Sequence, residues 1–244
     1  MPQAPIRVHE LESCDSTQDE LRALAVAGAP AFTAVRADVQ RAGRGRRGRI
    51  WEAPAGTALL VSILLRPQRP QHELPVLSLA GGVAAVECAR AFGAVAGLSW
   101  PNDVVCDGRK LAGVLAELGP GGCVLLGIGM NLASRASELP ASDRLAPTSL
   151  LRETGAAPSA PEALTVLLDS LRPLAAAFET GGPSAIAERA RALDALAGRT
   201  VELRLAGGEV VQGTATGISD DGCLLVRSAD EVRAYASGEV ARLT

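Results

Sequence analysis

The apolar residues of the chain follow two different spacings, and the alternation between them predicts its secondary structure. After the sequence Thr-Gln-Asp-Glu at 17–20, which fits a helix capping box, Leu21 and Leu24 continue at helical spacing until Gly28. Elsewhere, short runs rich in Val, Leu and Ile are bounded by Gly, Pro and Asp, which is typical of strands. The pattern predicts helices at 17–25, 74–92, 161–180 and 183–197, and strands at 32–38, 57–65, 97–100, 104–106, 111–118 and 123–128.

This mixture of elements predicts an α+β (mixed α/β) fold, in which a mixed sheet has flanking helices. The pattern changes at Gly198, beyond which short alternating strands separated by tight turns fill the rest of the chain. Such a run of short strands is typical of a small β-barrel. We therefore predict two domains, one at 1–197 and a smaller one at 198–244.

Composition limits the classes of function. The formal net charge is −3, so no overall positive field would attract nucleic acid or an anionic membrane. The five cysteines are scattered without a Cys-x-x-Cys pair, which favours free thiols in a reducing compartment over disulfides or a zinc site. The chain starts without the features of a signal peptide, and its most apolar runs, such as 57–65, are too short to span a bilayer. We therefore expect a cytoplasmic protein with no DNA partner, no membrane partner and no metal site of its own.

The segment 41–49 holds five arginines among nine residues, with glycines between them and no acid. Arginines at this density repel one another unless an anion such as phosphate binds among them, and glycines let backbone amides approach that anion. A dinucleotide-binding motif is an alternative, since Gly43, Gly45 and Gly48 fit Gly-x-Gly-x-x-Gly, but Pro54 follows too soon for the expected helix. A nucleic-acid-binding patch is a second alternative, although aromatic residues make up only 2% of the chain and so offer few surfaces on which bases could stack. A solvated loop without a ligand is a third alternative. The loop alone favours phosphate binding.

A second group of polar residues surrounds a predicted hairpin. Trp-Pro-Asn-Asp at 100–103 and Arg-Lys-Leu-Ala-Gly at 109–113 flank an Asp-Gly turn, which would bring Asp103 close to Lys110. Lys110 is the only lysine among the 24 basic residues of the chain. Because every other basic residue is arginine, the single lysine suggests a role that requires a compact ammonium group. The alternative is that Lys110 forms an ordinary surface ion pair with Asp103.

Taken in order, these motifs resemble biotin protein ligases. The resemblance rests on Ser-Thr at 16–17, Gln40, the glycine and arginine loop, Trp-Pro-Asn-Asp, Arg-Lys-Leu-Ala-Gly, and Gly-Ile-Gly-Met-Asn at 127–131. It extends over essentially the whole chain, because the C-terminal β segment resembles the SH3-like domain of that family. Since few residues precede the first motif, the chain is similar to the monofunctional members, which have no DNA-binding domain.

The resemblance implies an ATP-dependent ligase that forms biotinyl-5′-AMP and then transfers biotin to a lysine of a biotin carboxyl carrier protein, with Mg²⁺ carried by the ATP. It also implies roles for individual residues. Those expected at biotin are Ser16, Thr17, Gln18, Gln40, Gly43, Arg44, Gly45, Arg46, Lys110 and Gly113. Those expected at the nucleotide are Arg46, Arg47, Arg49, Trp51, Asn102 and Asn131.

Four of the residues would act in catalysis. Lys110 is expected between the biotin carboxylate and the α-phosphate, with Arg44 and Arg46 shielding the same two anions, because joining two anions needs concentrated positive charge. Asp103 would receive the proton of the carrier lysine, or serve as a structural partner of Lys110. The chain departs from the family pattern at Ser99, where a lysine commonly precedes Trp-Pro-Asn-Asp.

Two alternatives stay open at this point. A lipoate or octanoate protein ligase would share the fold and the adenylation chemistry, although the arginine loop with Ser16 and Thr17 fits biotin ligases. A non-catalytic nucleotide-binding or RNA-binding protein could use the arginine loop alone. A protein of this kind would not account for Lys110 or for the Trp-Pro-Asn-Asp sequence.

Overall fold

The computed structural model describes residues 6–140, 144–229 and 231–242, and its larger part is built on a seven-stranded mixed sheet. The spatial order of the strands is β1-β2-β3-β7-β6-β5-β4. β1 and β2 run parallel, and the other neighbouring pairs run antiparallel. The strands are β1 (Arg7–Cys14), β2 (Thr33–Gln40), β3 (Ala58–Leu65), β4 (Ala96–Ser99), β5 (Asp103–Cys106), β6 (Arg109–Leu118) and β7 (Val124–Asn131).

The strand β1 is absent from the sequence-based prediction, which begins with the first helix. The strand has no apolar face, because charged and polar residues interrupt the apolar ones, namely Arg7, His9, Glu10 and Glu12. Nearly all of its residues are exposed. β1 lies at an edge of the sheet, where its pairing with β2 needs no buried side chains. A strand held mainly by backbone hydrogen bonds at a sheet edge leaves little hydrophobic pattern in the sequence.

The helices are α1 (Thr17–Val26), α2 (Leu77–Ala91), α3 (Leu150–Thr154) and α4 (Ala160–Arg191). α1 begins at Thr17 as predicted, but its capping residue is Ser16, one residue before the start of the capping box at 17–20. The two predicted helices at 161–180 and 183–197 form α4, which is broken at Gly182 by a positive φ of 65° and ends at Arg191. The short helix α3 was not predicted.

The two faces of the sheet are covered unequally. α2 and α4 pack on one face, where they bury side chains of β3, β6 and β7 in the main apolar core. Gly81 and Gly82 of α2 allow this close approach, because a Cβ on Gly82 would lie 2.5 Å from Leu98 Cδ1. On the opposite face, α1 covers only part of the sheet and buries a small cluster that includes Leu21 and Leu125. The remainder of that face is left for other elements to cover.

The stretch Gln71–Ala91 is long and apolar enough, by length and composition, to cross a membrane. In the fold, 72% of its most apolar window is buried inside the protein, between the sheet and α4. Its composition is that of a core helix.

The C-terminal segment forms a second sheet with the order β11-β10-β9-β8-β12 and antiparallel pairing throughout. Its strands are β8 (Thr200–Arg204), β9 (Val210–Ile218), β10 (Leu224–Ser228), β11 (Glu231–Tyr235) and β12 (Glu239–Arg242). This sheet of five strands confirms the predicted C-terminal run of short strands. Trp100 Nε1 donates to the Gly222 carbonyl at 3.0 Å, and apolar residues of both sheets share one core.

Replacement of Leu98 tests the packing between α2 and β4. Leu98 is fully buried against Gly82, so Leu98→Ala should lower the free energy of unfolding by about 2–5 kcal/mol. Urea denaturation followed by circular dichroism measures the difference. Val95, just before the same strand and 89% exposed, provides the control, and Val95→Ala should change stability by less than about 0.5 kcal/mol. Equal urea midpoints for the two variants would contradict this packing.

Candidate active site

The floor of the candidate site is the uncovered part of the large sheet, where glycines take the place of side chains. Gly113 of β6 lies directly opposite Gly129 of β7, and Gly127 lies opposite Ser62 of β3. Since side chains alternate across a strand, the residues between these glycines, such as Ile128, point into the core on the other face. The alternation therefore packs one face of the sheet and lets a flat ring approach the backbone closely on the other.

The ring of Trp51 lies on this floor. A Cβ on Gly129 would come within 2.4 Å of Trp51 Cε2, and one on Gly113 within 3.1 Å of Trp51 Cζ3. The Nζ atom of Lys110 lies 5.4 Å from the centre of the same ring, a cation–π distance. Trp51, which the resemblance assigns to the nucleotide, therefore lies at the middle of the cavity, between the glycines and the lysine.

One end of the cavity is lined by buried, uncharged polar groups around the start of α1. Thr17 donates to Gln40 Oε1 from both its backbone nitrogen, at 2.8 Å, and its hydroxyl, at 3.0 Å. The Thr17 hydroxyl is also 2.8 Å from that of Ser62, a residue that the sequence did not single out. Gln18 lies over Gly127 and donates to the Leu125 carbonyl at 3.2 Å. Together with Ser16, these residues form the polar end of the cavity.

The arginine loop crosses the cavity as a narrow turn. Trp51 N donates to the Gly43 carbonyl at 2.9 Å and Gly45 N donates to the Arg49 carbonyl at 2.7 Å. A Cβ on Gly43 would lie 2.4 Å from the Trp51 carbonyl oxygen, so the loop closes this tightly only with glycine there. Gly43 therefore shapes the base of the loop, whereas Gly45 lies along the cavity wall.

Each arginine of the loop has a partner, and the carboxylates come from other elements. Arg44 pairs with Asp19 of α1 at 2.7 Å and with Glu117 of β6 at 3.4 Å. Arg47 and Arg49 both pair with Glu239 of β12, while Arg46 donates to Asn102 Oδ1 at 3.1 Å and Arg41 pairs with Asp15. The segment 41–49 contains no acid, and the fold supplies three elements that hold it in place.

The predicted hairpin brings Asp103 and Lys110 together. The Lys110 Nζ atom is 2.7 Å from Asp103 Oδ1, and the other oxygen of this carboxylate accepts from Arg144. Asp103 is 2% exposed, so both ion pairs lie in a buried environment. Burial lowers the pKa of Lys110 to about 8, and the guanidinium of Arg49 acts in the same direction, while Glu239 opposes it. The amine therefore remains mainly protonated at neutral pH but titrates within reach of it.

Of the residues still to be placed, Asn102 and Ser99 lie near this ion pair and Asn131 lies outside the cavity. The side-chain amide of Asn102 donates to the Val114 carbonyl at 2.8 Å. This bond fixes the orientation of the amide, whose oxygen accepts from Arg46. Ser99 lies opposite Asp103 in the pairing of β4 with β5, and is buried. Asn131 does not line the cavity. Its amide donates to the Thr148 carbonyl at 2.9 Å and so holds the segment that follows β7.

Two further charged residues line the cavity. The sequence leaves Arg135 and Arg144 as equal candidates for a site arginine after Gly-Ile-Gly-Met-Asn, and it is Arg144 that lines the cavity. Glu239 was not anticipated, and it reaches the site through the tertiary fold. With them, the part of the chain that the structure describes brings five cations and two carboxylates together at the end of the cavity opposite Ser16. The cations are Arg46, Arg47, Arg49, Lys110 and Arg144, and the carboxylates are Asp103 and Glu239. This excess of positive charge favours a polyanion such as a phosphate chain.

No group of three or more His, Cys, Asp or Glu side chains that could hold a metal ion occurs among the residues that the structure describes. Among the same residues, the two carboxylates that line the cavity are engaged by cations.

Comparison with known proteins agrees with this geometry. The model of the Biotin/lipoate A/B protein ligase family matches residues 11–131, and that of the Biotin protein ligase C terminal domain matches 197–243. The chain is 35% identical to the biotin–[acetyl-CoA-carboxylase] ligase of Mycobacterium tuberculosis, over 93% of this chain and 86% of the relative. It is 37% identical to the ligase of the same name from Paracoccus denitrificans, over 89% of this chain and 92% of that one.

The same relationship holds among solved structures. The structure described as biotin protein ligase from Aquifex aeolicus in complex with biotin and ATP superposes with a TM-score of 0.84 at 28% sequence identity. The match covers 97% of this chain and 98% of the other. A lipoate ligase is not favoured, because the C-terminal match is to biotin ligases. With two relatives above 30% identity over most of their length, the chain belongs to the biotin protein ligase family.

Proposed function

We propose that this protein joins biotin to ATP to form biotinyl-5′-AMP and pyrophosphate, and then transfers the biotinyl group to a lysine of a biotin carboxyl carrier protein. The observation that carries the proposal is the two-ended cavity on the glycine floor. One end offers buried, uncharged hydrogen-bonding groups, and the other concentrates cations. Such a cavity suits a substrate with a neutral polar head and a carboxylate that must meet a triphosphate.

The neutral end suits the biotin head group. Thr17, Gln18 and Gln40 present hydroxyl and amide groups that can both donate and accept, as the urea-like ring of biotin requires. These side chains are already fixed by hydrogen bonds to one another and to strand backbones, so little freedom would be lost on binding. Gly113 and Gly127 let Trp51 and Gln18 lie close to the sheet, so these two side chains are placed to contact the ring system.

The cationic end suits the reacting anions. Biotin carboxylate and ATP repel each other, so their approach requires positive charge placed where negative charge accumulates. We assign this to Lys110 and Arg46, which already face the cavity, with Arg47 and Arg49 beside the nucleotide. Arg44 is held by Asp19 and Glu117 in this structure, and would have to exchange these partners for the substrate carboxylate.

In the second step, the amine of the carrier lysine attacks the carbonyl carbon of the mixed anhydride and AMP leaves. Asp103 is the nearest carboxylate to Lys110, but it is held between two cations, which favours its ionised form and weakens it as a base. We therefore assign Asp103 mainly to positioning Lys110. The amine that attacks must lose a proton, and the carrier or solvent can take it.

We further propose that residues 1–197 form the catalytic domain and 198–244 the SH3-like domain, with Glu239 of the latter holding the arginine loop. Magnesium would enter with ATP. The five cysteines are free, which suits the cytoplasm as the compartment of action.

The activity is tested by incubating the protein with ATP and biotin and analysing the products by mass spectrometry. We expect biotinyl-AMP and pyrophosphate, and biotinylation of a carrier domain when one is added. Parallel incubation with lipoate should give no adenylate. Formation of lipoyl-AMP in preference to biotinyl-AMP would instead support the lipoate ligase alternative, and absence of any adenylate would contradict adenylation.

Lys110→Arg keeps the charge but replaces a compact ammonium by a bulkier planar group, which cannot stand between two anions in the same way. Adenylate formation should fall by about 10²-fold or more. Release of pyrophosphate gives the rate, and thermal unfolding shows whether the variant is folded. Arg109→Lys, the reverse exchange at the adjacent, partly exposed residue paired with Glu153, is the control and should keep its activity. A Lys110→Arg enzyme of normal rate would remove Lys110 from its assigned role.

The titration of Lys110 predicts the pH dependence of adenylation. Its pKa of about 8 means that the free enzyme loses the required positive charge as the pH rises through 8. The value of kcat/KM, which reports the free enzyme, should therefore decline above about pH 8. The decline of kcat should begin at higher pH, because bound anions stabilise the protonated amine. A kcat/KM profile that stays flat to pH 10 would contradict a protonated Lys110.

The two tryptophans should respond differently to ligand. Trp51 lies on the cavity floor beside Lys110, whereas Trp100 is 2% exposed and bonded to Gly222. Addition of biotin and ATP should change the intrinsic fluorescence of the protein and of Trp100→Phe, but not of Trp51→Phe. A ligand response that persists in Trp51→Phe would show that the ring does not contact the ligand.

A further inference from the structure

Arg44 of the arginine loop is held by two carboxylates at the polar end of the cavity. Its Nη1 donates to both carboxylate oxygens of Asp19 at 2.7 Å, and its Nη2 donates to Glu117 Oε2 at 3.4 Å. Asp19 follows Gln18 in the first turn of α1, and Glu117 accepts from Gln18 Nε2 at 3.5 Å. Both carboxylates therefore adjoin a side chain that we assign to the biotin head group, and Arg44 is bound beside it.

The guanidinium of Arg44 has a further hydrogen-bond donor. Its Nε is buried and has no hydrogen-bond partner among the residues that the structure describes, and the side chain lines the cavity. A buried donor without an acceptor is unfavourable. A carboxylate that entered the cavity could accept from Nε and from one terminal nitrogen together, which is the bidentate geometry that arginine offers. Because Asp19 and Glu117 engage the terminal nitrogens, such a carboxylate would compete with them.

The two internal carboxylates can release Arg44 at little cost. The Asp19 side chain is 52% exposed, so water can hydrate it when its ion pair opens. Glu117 is also paired with Arg22 at 3.1 Å, so it keeps a cation after Arg44 leaves. Asp103 differs, because its side chain is 2% exposed and the loss of a cation would leave a buried charge. The ion pairs of Arg44 are therefore exchangeable, whereas those of Asp103 are fixed.

We propose that Asp19 and Glu117 compete with the carboxylate of biotin for Arg44 and so limit the affinity for biotin, an inference that rests on the proposed function. In the free protein, the two side chains neutralise Arg44. In the complex, the biotin carboxylate binds Arg44, Asp19 becomes hydrated and Glu117 remains with Arg22. Opening the internal ion pairs costs part of the binding free energy, so biotin binds less tightly than it would to an unopposed arginine.

The same competition distinguishes the substrate from the product. After transfer, the carboxyl group of biotin has become the amide of a lysine side chain, which carries no charge. A neutral amide gains little from a guanidinium and cannot displace two carboxylates from it, so Arg44 returns to Asp19 and Glu117 when the product forms. The internal carboxylates thus favour dissociation of the biotinylated carrier.

The test compares biotin with biotinamide, which has a neutral amide in place of the carboxylate. In Asp19→Asn, the Kd of biotin measured by calorimetry should fall about 3-fold, and in the double variant with Glu117→Gln about 10-fold, as expected for partly exposed ion pairs. The Kd of biotinamide should change by less than about 2-fold, because its binding does not require Arg44 to change partners. Thermal unfolding shows whether each variant is folded.

Asp15→Asn is the matched control, because it neutralises an exposed acid that pairs with Arg41, an arginine of the same loop outside the cavity. Neither Kd should change in this variant, which separates competition at Arg44 from the general loss of a negative charge. An unchanged or raised Kd of biotin in the double variant would overturn the proposal. An equal fall for biotin and biotinamide would also overturn it, since that pattern indicates a displaced loop. If the unaltered protein binds biotin but makes no biotinyl-AMP, the proposed adenylation fails, while the calorimetric comparison still decides the role of Asp19 and Glu117.

Discussion

The buried carboxylate of Asp103 is the contact around which the site is assembled. It stands at the start of β5, and the Asp-Gly turn after this strand returns the chain to Lys110. The same carboxylate also accepts from Arg144 of the segment after β7. An isolated ion at this depth would be strongly unfavourable, so the carboxylate and its two cations stabilise one another. Removal of the carboxylate would leave two cations close together and unopposed. The positions of hairpin, loop and lysine are therefore energetically coupled.

A second constraint is the shape of the floor. Side chains of the strands themselves cover most sheet faces, but here Gly113, Gly127 and Gly129 let Trp51 and Gln18 lie directly against the backbone of two adjacent strands. The same strands carry a continuous apolar row on their other face, which packs against α2. The sheet can therefore form a glycine floor on one face and keep an apolar core on the other, because alternate residues of each strand point to opposite faces.

The sequence predicts much of this arrangement for identifiable reasons. Strands β3 to β7 and helices α1, α2 and α4 carry strong apolar patterns and turn residues, and the Asp-Gly turn predicts the approach of Asp103 to Lys110. β1 has no apolar pattern, because backbone pairing at a sheet edge does not require one. Glu239 could not be anticipated either, since its effect on the arginine loop depends on how the C-terminal sheet is docked, and no local spacing encodes that contact. The roles assigned to the individual site residues remain predictions.

The position of the only lysine affects whether the enzyme can be acylated by its own proposed product. An acyl adenylate acylates unprotonated amines, and a lysine-rich surface would offer many of them to any intermediate that escapes. Here the surface cations are arginines, which stay protonated and do not react in this way. Lys110 is largely enclosed and ion-paired within the cavity. Apart from the amino terminus, the protein thus presents little of the functional group that its proposed product modifies, so an escaping intermediate would reach water or another protein first.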